Sequence, residues 1–171
     1  PDQNGFKKLD TNELRKSFLI EDLFQKNKIP MTYSDVDRSI TGSAVPSGKT
    51  LKLVATKKEM AANYFTERRE LGIINIGDSG TVSVNDKVYK MDNKDGLYVG
   101  RGEKNIEFKS KSASKPAMFY FVSYPAHKDY PDKHVVFNSA TKRNLGTIQD
   151  AYKRVINQYF HPGIMQTCKL V

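Results

Sequence analysis

From Leu51 to Tyr124 the chain alternates short apolar-polar runs with turn signals. Val82 and Val84 share one side of their run, Thr81 and Ser83 the other. Successive strand side chains point to opposite faces, so this period of two predicts half-buried strands. Such runs occupy 51–54, 62–66, 71–76, 81–84, 87–91, 97–99, 106–108 and 117–124. Gly77-Asp78-Ser79-Gly80, Asn85-Asp86, Asp92 to Gly96 and Gly100-Arg101-Gly102 separate them. Asn85-Asp86 reads as a two-residue hairpin turn, because both residues tolerate positive φ. Strands recurring every roughly 8–12 residues predict an antiparallel sandwich or small barrel. The run Ala117-Met-Phe-Tyr-Phe-Val122 is continuously apolar and predicts a strand lying deep inside.

The two ends read differently. Residues 1–50 form an arm with edge strands. Asp10 and Glu13 make a capping box, and Leu14 with Phe18 repeats at helical spacing, predicting one short helix before an apolar patch, Phe18-Leu19-Ile20. Short strands are expected at 32–34 and 39–41. Residues 51–125 are the barrel core. Residues 126–171 read as a long loop through Asn144, then a helix over 147–160 carrying Ala151, Tyr152, Val155, Ile156 and Tyr159, then a strand opening at Thr167 to Val171.

Composition narrows the function. The 171 residues suit one domain. No run approaches eighteen apolar residues, so no membrane helix is expected. No secretion signal is visible in the opening residues, so none is expected. Cys168 stands alone, which excludes an internal disulfide and fits a reducing compartment. Net charge is +9, from 28 basic and 19 acidic residues. The bases are scattered, without the block of five or six of a nucleic-acid arm and without aromatic–basic interleaving on one strand. A small anionic ligand fits this distribution better than a polynucleotide.

Candidate chemistry is sparse. His127, His134 and His161 fall in loop-like segments, with no His-x-His and no His-Glu-x-x-His, so no metal site is expected from this chain alone. Cys168, in an apolar run, reads as a buried structural thiol, and no G-x-S-x-G elbow occurs. Gly100-Arg101-Gly102 reads as a tight turn. The unusual segment is Glu67-Arg68-Arg69-Glu70, four charges inside a β-rich stretch. On a strand, Glu67 and Arg69 point one way, Arg68 and Glu70 the other. Either one pair faces inward or onto a partner, marking a site or an interface, or the segment is an exposed edge strand.

At this segment the sequence resembles the cupin superfamily. Glu70 and Gly77 keep the Glu-x6-Gly spacing of the first cupin motif, but Tyr64 and Thr66 stand where its two metal histidines lie, and Asn105 stands near the histidine of the second motif. The string Tyr64-Phe-Thr-Glu-Arg-Arg-Glu-Leu-Gly-Ile-Ile-Asn-Ile-Gly77 resembles the 5-keto-4-deoxyuronate isomerase family. Tyr33-Ser-Asp-Val-Asp-Arg38, Leu97-Tyr-Val-Gly-Arg-Gly102, Pro116-Ala-Met-Phe-Tyr120, Pro125-Ala-His127 and Ile156-Asn-Gln-Tyr-Phe160 agree with it.

The resemblance implies an all-β, cupin-like jelly roll with short helical or extended arms. It also implies that this is the N-terminal half of a longer aldose–ketose isomerase of pectin and uronate breakdown. Zinc ligands would lie in a second half, none on this chain. Arg68, Arg69 and Glu70 would sit at a substrate-binding edge or subunit contact. The partners implied are a small anionic sugar acid and further copies in a cytoplasmic homohexamer, with no nucleic acid and no membrane. A non-catalytic cupin-like sugar-binding or scaffold domain is the alternative.

Overall fold

Nested pairing organises the fold. In a computed structural model describing residues 2–55 and 57–170, α1 (Thr11–Phe18) precedes β1 (Met31–Ser34), β2 (Ser39–Ala44) and β3 (Leu51–Leu53). A single turn, α2 (Lys57–Met60), leads to β4 (Arg69–Asn75), β5 (Gly80–Val84), β6 (Lys87–Met91) and β7 (Gly96–Val99). Then come β8 (Ile106–Ser110), β9 (Phe119–Pro125), β10 (Lys133–Val135), β11 (Thr141–Leu145) and β12 (Arg154–Gln158).

The antiparallel pairs β5–β6, β4–β7, β3–β8 and β2–β9 sit one inside the next, as in one long hairpin rolled up. Rolling distributes them over two sheets, ordered β1-β2-β9-β4-β7-β10 and β3-β8-β5-β6. This is the jelly roll, a double-sheet architecture that cupins share. The β11–β12 hairpin forms a separate two-stranded sheet.

Local chemistry explains the elements. The amide of Glu13 donates to Asp10 Oδ1 at 2.9 Å and that of Asp10 to Glu13 Oε2 at 2.9 Å, capping α1. Asn85 takes φ 49° in the β5–β6 turn, as its turn chemistry predicts. Leu71, Ile73, Val82, Phe108, Phe119 and Phe121 fill the barrel, all fully buried. The ring of Phe108 lies 5.3 Å from Phe119 and 6.2 Å from Phe121. The interior is therefore an apolar, close-packed core.

β7 is buried at all four positions, so both its faces are covered. One cover is the core. The other is the segment 159–170, which lies on the outer face of the six-stranded sheet. Two glycines make it flat enough. A Cβ on Gly72 would stand 3.0 Å from Phe160 and 3.2 Å from Leu170; one on Gly96 would stand 2.8 Å from Tyr159.

Several expectations are corrected. The 117–122 run is not deep throughout: Ala117, Phe119 and Phe121 are buried, while Met118, Tyr120 and Val122 are half-buried. Residues 62–66 form turns, because Ala61 takes φ 49° and the Glu67 carboxylate accepts the Asn63 amide at 2.6 Å. The stretch expected as a loop through Asn144 contains β10 and most of β11. The 147–160 helix is a turn followed by β12: Tyr152 donates its amide to Thr147 O, and Ala151 takes φ 51°. Thr167 to Leu170 bends without strand pairing, and Val171 lies outside the described residues. No helix among the described residues is long and apolar enough to cross a membrane.

Candidate functional site: an arginine-lined cleft at the barrel mouth

The β3–β4 and β7–β8 loops meet at one end of the barrel. Gly102 donates its amide to Thr66 O at 2.8 Å, and the Thr66 hydroxyl donates to Glu103 O. Gly102 takes φ 99°, and a Cβ on Gly100 would collide with the Tyr130 carbonyl, so Gly100-Arg101-Gly102 is the tight turn its glycines predict. Phe65 enters the barrel between the two motif positions, 2% exposed and edge-on to Phe121 with 6.3 Å between ring centres. It plugs the mouth.

The residues present do not fit a metal. Thr66 is fully buried with its hydroxyl engaged, and Asn105 is exposed and zipped through its backbone to Asn85. Among the described residues no three His, Cys, Asp or Glu side chains gather as a ligand set. The histidines are dispersed. His127 is exposed, and His161 Nε2 lies 3.0 Å from Thr141 Oγ1. His134, expected in a loop, belongs to β10 with Nε2 3.4 Å from Asp95 Oδ2. Cys168 is half-buried, not buried, with Sγ 3.5 Å from Lys128 O.

The four-charge segment is divided among separate tasks. Only Arg69 and Glu70 belong to a strand, and β4 lies in the middle of its sheet, so the edge-strand reading fails. Glu67 caps the preceding turn and lies 3.9 Å from Arg68, whose side chain is 70% exposed. Arg69 is half-buried. Its Nε donates to Ser123 Oγ at 3.1 Å and its Nη2 to Ser123 O at 2.8 Å and Arg38 O at 2.6 Å. All three acceptors are neutral. Burial, seconded by the nearby Arg38 charge and opposed by Tyr33, lowers the Arg69 pKa below the usual arginine value.

Arg38 comes from the turn joining β1 to β2, where Asp37 and Arg38 take φ 55° and 51°. Two non-glycine residues in the left-handed region are strained, and two contacts hold this turn. Arg69 binds the Arg38 carbonyl, and Lys169 Nζ lies 3.2 Å from Asp37 Oδ1. A cleft of about 260 Å³ opens here, lined among others by Tyr33, Arg38, Glu59, Met60, Arg68 and Arg69. Arg38 and Tyr33 were not singled out by charge patterning; both lie inside the string 33–38 that carries the family resemblance.

Glu70 points the other way. Leu71 and Ile73 face the core, so Glu70 and Gly72 face the outer surface of the sheet. There Glu70 is fully buried beneath the segment 159–170. Its Oε1 accepts the amides of Lys169 at 2.5 Å and Leu170 at 2.9 Å; its Oε2 accepts the Cys168 amide at 2.8 Å and the Tyr98 hydroxyl at 2.8 Å. Three consecutive amides converging on one carboxylate form an anion-binding nest filled from within the chain. Burial and the Glu70 carboxylate push the Tyr98 phenol far above its usual range.

The fold and the cleft define a jelly-roll domain with a sealed apolar interior and a cationic rim. The family model described as "KduI/IolB family" matches residues 19–171, and the chain belongs to that family. It is 47% identical over 166 residues to a 4-deoxy-L-threo-5-hexosulose-uronate ketol-isomerase of Caldicellulosiruptor bescii, covering 97% of this chain and 60% of that protein. It is 49% identical over 164 residues to the protein of the same name from Formosa agariphila, covering 96% and 58%. The chain thus spans about 60% of the length of the curated relatives it matches. Among solved structures, an IolB-like protein of Salmonella typhimurium LT2 matches with TM-score 0.50 and 10% identity, over 68% of this chain and 42% of that one. At that identity the likeness concerns the fold alone.

Proposed function

We propose that the chain is the N-terminal half of an aldose–ketose isomerase converting 5-dehydro-4-deoxy-D-glucuronate to 3-deoxy-D-glycero-2,5-hexodiulosonate in pectin and uronate breakdown. The relatives' shared name supports the activity. One observation carries the division of labour. The barrel interior, where a cupin-type site would lie, is sealed by Phe65 and packed with apolar side chains. Zinc belongs to the second half in this reading, where it would stabilise the developing enediolate. The complete enzyme is a cytoplasmic homohexamer.

This half contributes framework and charge. The substrate is an anion throughout the proton shift between neighbouring carbons, so its carboxylate gives a fixed handle away from the reacting atoms. Guanidinium groups suit it because their fork matches a carboxylate's two oxygens. Arg68 and Arg69 are the substrate-edge or subunit-contact residues. Glu70 serves the same region indirectly, by seating residues 168–170.

The test is turnover of 5-dehydro-4-deoxy-D-glucuronate by the 171 residues alone and by the same residues fused to the second half of the C. bescii relative. Activity only in the fusion is expected. Turnover by the 171 residues alone refutes the division of labour, and a folded fusion that binds the uronate without converting it favours a sugar-binding module.

A further inference from the structure

We propose that the mouth cleft binds the carboxylate of a single small sugar acid, gripped by Arg38 and Arg68 beside a pre-set Arg69. This deepens the isomerase reading and rests on it only for the identity of the acid.

Three guanidinium-bearing residues reach the cleft from three places in the chain: the β1–β2 turn, the loop before β4, and the first residue of β4. Glu59 is the acidic residue of the lining, so formal charges of three Arg and one Glu leave +2. Arg69 carries its charge half-buried, donating to the neutral Ser123 Oγ, Ser123 O and Arg38 O, with no ion pair among the described residues. A half-buried cation without a counter-charge is costly, and an incoming anion removes that cost. Arg68 is the adjustable member: its one ion pair among the described residues, to Glu67, is stretched to 3.9 Å.

Shape selects the ligand. At about 260 Å³ the cleft falls just under the roughly 300–1,000 Å³ of drug-sized pockets. It suits one monosaccharide. Met60 and Pro125 supply apolar wall for a sugar's C–H face, and the Phe65 plug closes the floor. A larger hollow of about 720 Å³, with Lys90, Lys109 and Lys111 in its lining, lies on the outer face of the β3-β8-β5-β6 sheet and the turns at its ends, and gathers no guanidinium group.

The test is calorimetric titration of the 171-residue chain with galacturonate, galactose and inorganic phosphate. Galacturonate is expected to bind at millimolar concentration, galactose about tenfold or more weakly because it lacks a charge-assisted pair worth about 1.5–3 kcal/mol, and phosphate about tenfold or more weakly because it has no C–H face to lay on Met60 and Pro125. Arg68→Ala and Arg38→Ala should each weaken galacturonate about tenfold while leaving the melting transition in place. Arg69→Lys keeps the charge while losing the fork that holds the turn, and should weaken binding too. Equal affinity for galactose, equal affinity for phosphate, no galacturonate binding, or unchanged affinity in both alanine variants each overturns the proposal. Arg68-dependent self-association without galacturonate binding overturns it in favour of a contact between copies. The isomerase reading fails separately: a fusion that binds galacturonate Arg68-dependently yet lacks turnover refutes that reading and leaves the site standing.

Discussion

Glu70 holds the outer cover of the six-stranded sheet, and removing its carboxylate should release that cover. Four donors converge on it: three consecutive amides and the Tyr98 hydroxyl. At roughly 1 kcal/mol net per hydrogen bond, Glu70→Ala should cost about 4 kcal/mol, less whatever the freed amides recover from water. Glu70→Gln is the sharper variant. Its amide oxygen in the Oε1 position keeps Lys169 and Leu170. Its NH2 group then faces the Cys168 amide, donor against donor, while the Tyr98 hydroxyl turns to accept. One lost bond and two weakened ones predict about 2 kcal/mol. Urea denaturation measures the total, and hydrogen exchange at residues 168–170 locates it. Amides 168–170 should exchange freely in Glu70→Ala, and the Cys168 amide first in Glu70→Gln, with protection retained across β4 and β9. Unchanged protection at 168–170 in Glu70→Ala, or a stability change within about 0.5 kcal/mol of zero, would refute the reasoning.

Further expectations follow from single contacts. Tyr98→Phe removes one of the four donors and should cost about 1 kcal/mol. Because its folded pKa is raised above the unfolded value of 10.0, Tyr98 contributes stability that is full below pH 10 and declines as pH rises toward the folded value; ultraviolet titration should find one tyrosine that resists ionisation until unfolding, absent in Tyr98→Phe. Asp132 is pushed up by burial, so its share of stability is full below the unfolded value of 3.8 and is lost as pH rises through the folded value; Asp132→Asn, which keeps an acceptor for the Gly100 amide, should flatten the stability–pH curve in that window. Gly100→Ala forces a Cβ into the Tyr130 carbonyl and should cost about 2–4 kcal/mol by denaturation. Phe121→Ala empties a fully buried site at the centre of the ring cluster and should cost about 3–5 kcal/mol by the same measurement.

What was legible in the sequence was local. The α1 cap, the Asn85 turn and the strands from β4 to β9 follow from side-chain chemistry and period two within a few residues. The 147–160 helix misled because Val155 and Ile156 are adjacent strand residues, both exposed, whose spacing from Tyr152 and Tyr159 imitates a helical stripe. Residues 62–66 misled because their apolar members pack as a turn, stopped by a positive φ at Ala61 that no alanine announces. Burial of Glu70 was illegible for another reason. Its cover comes from residues about a hundred positions away, and the outer face of a barrel sheet is ordinarily wet.

Spacing and parity then disagree at the cupin motif, and parity decides. Glu70 and Gly77 keep the motif's interval, yet Leu71 and Ile73 occupy the inward positions of β4, so Glu70 cannot face the barrel interior. Phe65 takes the inward place between Tyr64 and Thr66. With the interior given to phenyl rings, a cation placed there would lack both water and partner, a desolvation of several kcal/mol. The positive charge stands instead at the rim, where Arg68 stays hydrated and Arg69 borrows neutral carbonyls. That is where a carboxylate can arrive without first displacing a core.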